Sequence, residues 1–250
     1  MHAHCCACTP AEALFRVRTR TVSMTIPILA VTDEADPRIH SETLRERMGH
    51  VAFVISCGDL PVSYLEFISD SLNRPLYYVH GNHENRCGEG RTCEPGGAID
   101  ISGKVVTDPG TGLILAGIPG CLRYEEDQTG QYAEWQIGLM ACKMAPKLQY
   151  NRIRHGRALD LLVTHAPPRD VNDRTDPAHR GFESLRGFLT RWTPAYHLHG
   201  HIHLYDRSQP YQQRFSETDV INVFPYKLLE IEPAPLTAIS AREAVHEQTV

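Results

Sequence analysis

Six side chains able to bind a metal ion stand out by their neighbours as much as by their types: Asp33, Asp59, Asn82, His165, His201 and His203. Asp59 follows Gly58, Asn82 sits in Gly81-Asn82-His83-Glu84, His165 follows Thr164, and the last two belong to Gly200-His201-Ile202-His203. Carboxylate, amide and imidazole without thiolate suit manganese, iron or zinc rather than copper or a cluster, and manganese is the first expectation. A carboxylate has two oxygens and can hold two cations a few ångströms apart. Taken singly, each residue has a plain structural use: Asp33 in a turn, Asp59 capping a helix, His165 before the Ala166-Pro167-Pro168 turn. Those uses do not explain an ordered set.

The elements that must position them follow from the spacing of apolar residues. Ile26 to Val31, Val51 to Ser56, Leu76 to Val79, Leu113 to Ile118, Leu159 to Val163 and Ala195 to Leu198 are short apolar runs expected as buried strands. Edge strands are expected near Val220 to Phe224 and Lys227 to Ile231. Helices are expected over Ser41 to Met48, with Ser41 as its cap, and over Pro61 to Leu72 and Phe182 to Arg191. Gln131 to His155 reads as two helices broken at Pro146, because an interior proline removes a backbone donor. Gly, Pro and Cys crowd residues 87–97, an expected exposed loop. Every candidate ligand then falls just after a strand, and in a layered α/β fold such ends share one rim.

The order of these blocks resembles the calcineurin-like metallophosphoesterase superfamily, whose blocks run D-x-H, G-D, G-N-H-[DE], a lone histidine, then G-H-x-H. The likeness spans Ile26 to about Glu230. It implies a four-layer αββα sandwich of two mixed β-sheets flanked by helices, two divalent metal ions, and hydrolysis of phosphomonoesters or phosphodiesters by metal-bound hydroxide. By position it implies that Asp59 bridges the metals, that Asp33 and His203 serve the first, and that Asn82, His165 and His201 serve the second; two such divalent cations against Asp33, Asp59 and a hydroxide leave roughly +1, which attracts a phosphate anion. His83, next to Asn82, is expected beside the metals as the catalytic side chain that protonates the leaving oxygen or steadies the transition state.

One block departs. Asp33-Glu34-Ala35 stands where the superfamily has D-x-H, so the first site lacks a ligand and is expected to be weak or empty unless Asp36 or Glu34 replaces it. A non-catalytic metal-binding or interaction module on the same fold is therefore a second expectation, and a nuclease a third. Arg123, Arg169 and His179 lie in loops that could roof the site and are candidates for substrate binding. His80, His197 and His199 are expected as core or supporting groups, and Cys57 as a small apolar residue.

Composition sets the remaining bounds. A formal charge of -5 over 250 residues gives no bulk attraction to nucleic acid or anionic lipid, although Lys143, Lys147, Arg152, Arg154 and Arg157 form a local basic run that could hold nucleic acid. No run approaches the roughly 18 apolar residues of a membrane span, and eight cysteines without C-x-x-C pairs suggest reduced thiols. A cytoplasmic protein acting on a small phosphate ester, with no membrane partner, is expected. Residues 1–24, with the His/Cys cluster His2, His4, Cys5, Cys6 and Cys8, read as a disordered leader, 25–232 as the catalytic domain and 233–250 as a loose tail.

Overall fold

The computed structural model describes residues 25–83, 94–126, 128–206 and 208–233, with the backbone of Arg86–Cys87 and Arg91–Thr92. The expected leader, Cys93 and nearly all of the expected tail lie outside the described residues.

Period-two alternation along the apolar strands builds the layers. In β1 (Ile26–Val31) and β2 (Phe53–Ser56), Ile28, Ala30, Phe53 and Ile55 face an interior shared with Leu115, Leu161, Val163, Leu198 and Ile221. Leu29, Val31 and Val54 turn the other way, under α1 (Leu44–Met48) and α2 (Val62–Leu72). On the far side Ile114, Ala116, Leu162 and Val220 pack beneath α3 (Glu134–His155) and α4 (Glu183–Trp192). Strands buried on both faces need near-continuous apolar runs, as this sequence has, and each Val, Leu or Ile so buried contributes about 1.5–3 kcal/mol. The result is the αββα sandwich.

In the first sheet the order is Tyr226–Ile231, β1, β2, β3 (Leu76–Tyr78), Ile99–Asp100; only Tyr226–Ile231 runs antiparallel. The second runs Gln212–Phe215, Thr218–Asn222, Tyr196–His199, Leu161–Thr164, Ile114–Ile118, Val105–Thr107, with four parallel strands inside two antiparallel edges. Thr218–Asn222, expected at an edge, is interior because the polar strand Gln212–Phe215 covers it.

Two other expectations are corrected. Glu134–His155 is one helix of 22 residues, not two. Pro146 lies on its exposed side, where water can satisfy the carbonyl left without a donor, while Ile137, Met144, Leu148 and Asn151 anchor both halves to the same core. Ser41 does not cap α1: that helix starts at Leu44, and Ser41 Oγ meets the Thr43 hydroxyl at 3.1 Å and the Thr43 amide at 3.4 Å, ahead of the first turn.

Candidate metal centre

The loops leaving β1, β2 and Tyr196–His199 turn sharply at Asp33, Asp59 and His201, whose φ angles are 58°, 57° and 64°. Left-handed backbone is uncommon outside glycine, although Asp and His enter it more readily than most. Three such residues at one rim mark where local strain aims side chains inward. Gly58, at φ 100°, completes the β2 turn. At Gly200 the need is space, since a Cβ there would overlap the Thr32 hydroxyl and the Asp33 carboxylate.

One ligand atom from each of Asp33, Asp59 and His165 lies within 4.8 Å of the others. Nδ1 of His165 meets the Cys57 carbonyl at 2.8 Å, while Nε2 faces Asn82 Oδ1 at 2.8 Å and Asp59 Oδ2 at 3.2 Å. Acceptors at both nitrogens make the ring an imidazolium here. Burial opposes that charge, but Asp59, Asp33 and the Cys57 carbonyl outweigh it and push the His165 pKa up to about 9. The Nε2 proton thus occupies a point at which an imidazole, a carboxylate and an amide oxygen converge, the donor set that a divalent cation takes. The Nδ1 bond to a carbonyl is the support that orients a metal-binding histidine.

Both carboxylates stay charged. Burial works to raise Asp33, but the His203 side chain, His165, the Thr32 hydroxyl and the His201 amide hold it below the usual carboxylate range. Thr32 Oγ1 donates to Asp33 Oδ2 at 2.8 Å, and the His201 N–H donates to the same oxygen at 2.9 Å. Asp59 is likewise held down, against burial, by His165 and by the His83 amide, which donates to Oδ1 at 2.9 Å.

His201 packs its ring against His165, with centroids 4.9 Å apart, and its Nε2 donates to the Ala178 carbonyl at 2.8 Å, leaving Nδ1 as its free nitrogen. Burial and the charge of His165 lower its pKa to about 3, so it is neutral and able to ligate. His203 stands 3.6 Å from Asp33 Oδ1, stacked on Phe224 and bonded to Tyr205. His83 is exposed at the rim, and its backbone N–H is held by Asp59.

Asp36 does not fill the place left by Ala35. Its two oxygens form a fork with Arg38, at 2.9 and 2.6 Å, and the Arg38 amide adds a third bond at 2.8 Å. Ala35 and Glu34 are exposed. Of the three residues expected at substrate, two have partners in the scaffold: Arg123 bonds Gln136, and Arg169 bonds the Gly181 carbonyl and pairs with Glu134. His179 does reach the site. Its ring lies 5.3 Å from that of His201, with Nδ1 held 2.7 Å from Asp176 Oδ1.

Thr32, Asp176 and the Ala178 carbonyl escaped sequence reasoning. Only Asp176 carried a signal, being three residues before His179 next to a turn-setting Pro177. His197 and His199 are buried supporting groups: His197 Nε2 meets the Thr164 hydroxyl at 2.7 Å, and His199 bonds the Gly200 carbonyl and Asn172. Cys57 is buried as a free thiol in the sandwich interior.

The sequence profile of the family described as calcineurin-like phosphoesterase matches residues 42–205. No curated protein sequence matches this one significantly. Among solved structures, TT1561 of Thermus thermophilus aligns at 12% identity over 80% of this chain and 89% of that one, with a TM-score of 0.52. Vacuolar Protein Sorting 29 from Cryptosporidium parvum aligns at 12% identity over 80% and 74%, with a TM-score of 0.36. At that identity the first likeness is one of fold.

Proposed function

Because the chain belongs to the calcineurin-like phosphoesterase family, we propose that it hydrolyses small phosphomonoesters or phosphodiesters at the rim where its parallel strands end. The convergence of Asp33, Asp59 and His165 to within 4.8 Å carries this reading. Divalent cations held there, manganese before iron or zinc, would supply Lewis-acid activation of water and of the phosphoryl oxygens. Asp59, with two carboxylate oxygens, would be shared between the cations, Asp33 and His203 would help hold one, and Asn82, His165 and His201 would hold the other. His83 donates its backbone amide to Asp59, and its exposed imidazole is the side chain to protonate the departing oxygen. His179, oriented by Asp176, offers Nε2 to a substrate oxygen. The cytosol suits its free thiols.

A second reading, a metal-binding module without efficient chemistry, is favoured by one observation. Ala35 gives no ligand and Asp36 is consumed by Arg38, so the Asp33–His203 side is the poorer one. Calorimetric titration of chelated protein with manganese, alongside turnover of p-nitrophenyl phosphate and bis-p-nitrophenyl phosphate, tests both. One tight and one weaker site are expected, with turnover abolished in Asp59→Asn. Full metal loading without turnover of either ester would favour the module.

A further inference from the structure

The outermost layer carries a face that the proposed chemistry does not use. Along α3, Trp135, Leu139, Cys142, Pro146, Tyr150 and Ile153 follow one another at spacings of three and four, so they share one side of a helix. That side is turned away from the core: Trp135 and Ile153 are each 70% exposed, Tyr150 56% and Leu139 48%. The stripe runs the length of a 22-residue helix, about 33 Å. Large apolar residues exposed singly are ordinary, whereas a continuous row of them marks a contact surface.

The charge beside the stripe says what it contacts. The helix holds Lys143, Lys147, Arg152 and Arg154 against a single carboxylate, Glu134, in a chain whose formal charge is -5. Glu134 is turned inward to the amides of Glu183 and Ser184, and Arg152 to the Arg191 carbonyl and the Trp192 ring. Lys143, Lys147 and Arg154 remain on the exposed side, and among the described residues no carboxylate pairs with them. A second copy packed antiparallel on this face would set Lys143 and Lys147 of the two chains against one another near the midpoint. Nucleic acid would satisfy the lysines and leave Leu139, Pro146 and Ile153 against phosphate. An anionic bilayer meets both demands, taking the apolar row into its interface while the cations reach the headgroups.

We propose that the outer face of α3 docks on a membrane surface rich in anionic lipid. The expectation of no membrane partner rested on the absence of a spanning segment and on a formal charge of -5; a helix lying in the interface needs no span, and its local cations act against anionic headgroups whatever the sign of the whole chain, as only its placement in the fold shows.

Trp135 gives a direct readout, because the chain has two tryptophans and the other, Trp192, is 3% exposed. Full-length protein is titrated with phosphatidylcholine vesicles with and without phosphatidylserine, following Trp emission and co-sedimentation. The expected result is a blue shift and sedimentation with the anionic vesicles alone, reversed by salt. Ile153→Glu abolishes both, and Lys143→Glu with Lys147→Glu weakens binding about tenfold or more. Turnover of soluble p-nitrophenyl phosphate stays unchanged in these variants, which shows them folded. Failure to sediment, equal binding to phosphatidylcholine alone, or full binding by Ile153→Glu overturns the proposal. So does a dimer in solution that Ile153→Glu dissociates, or retention of duplex DNA in place of vesicles.

Discussion

The backbone N–H of His201 donates to Oδ2 of Asp33 at 2.9 Å, joining residues 168 positions apart in the sequence and rooted in different sheets. The bond from His165 Nδ1 to the Cys57 carbonyl makes a second such tie. The candidate ligands therefore also fasten the two halves of the sandwich together at this rim, and substitutions there separate metal affinity from folding in a predictable way.

Asp33→Asn keeps an oxygen for the His201 amide and the Thr32 hydroxyl but gives up the charge that faces His203 and His165. Its unfolding free energy in EDTA is expected to fall less than that of Asp33→Ala, with the weaker manganese site lost. Asp33→Ala removes the acceptor as well and is expected to cost about 1–3 kcal/mol. Urea unfolding in chelator and manganese calorimetry on both variants check this; equal stability of the two would contradict it.

A methyl group at position 200 has nowhere to go, since it would meet both Thr32 Oγ1 and Asp33 Oδ2. Gly200→Ala is expected to displace the Asp33 carboxylate, with a stability loss of about 1–3 kcal/mol from overpacking and weakened metal binding. Unaltered metal affinity in Gly200→Ala would show that the rim can yield at this point.

The metal-free protein has a stability maximum set by opposing histidines. Burial holds the folded-state pKa of His199 at about 4 and that of His197 well below its ordinary value. Unfolded histidines take up protons near pH 6.5, so this contribution is complete above about pH 6.5 and declines as the pH falls toward the folded value. For His199 the span amounts to roughly 3 kcal/mol. His165 has the opposite sign: raised to about 9, it stabilises fully below about pH 6.5, and that stability is lost as the pH rises through its folded value. Urea midpoints in EDTA are thus expected to peak near pH 6.5, and manganese, which in the proposed site would replace the His165 proton, is expected to remove the alkaline decline. A decline unchanged by metal would argue that His165 is not a ligand.

His179 and Asp176 form one unit, imidazole and carboxylate 2.7 Å apart. Asp176→Asn keeps a side chain that can accept from Nδ1 but removes the charge, so it is expected to raise KM severalfold and less than His179→Ala does. Manganese affinity is expected to be unchanged in both. Loss of metal in His179→Ala would instead make this ring a prop for His201.

The layering was legible because it rests on local pattern: both-face burial writes itself into runs such as Ile28 to Val31 and Leu161 to Val163, and Gly58, Gly81 and Gly200 punctuate the strand ends. The pairing of individual side chains was not. Nothing near Asp36 announces that its carboxylate belongs to Arg38, because a fork two residues long looks in sequence like any exposed acid and base. Pro146 misled for a related reason: its cost depends on whether the helix side it occupies meets core or water, which the neighbouring elements decide. Gln212–Phe215 was missed since a polar edge strand has no apolar signature and is recruited by the strand it covers.

Left-handed backbone at Asp33, Asp59 and His201 also says how the proposed activity would be lost over generations. Glycine relieves the torsional cost at each position, and asparagine tolerates it better than most side chains, so the exchanges gentlest on the backbone are ones that remove a charge or donor from the candidate metal centre. A lineage released from selection for turnover would gain foldedness by shedding these ligands first, leaving an intact, sturdier sandwich with an inert rim.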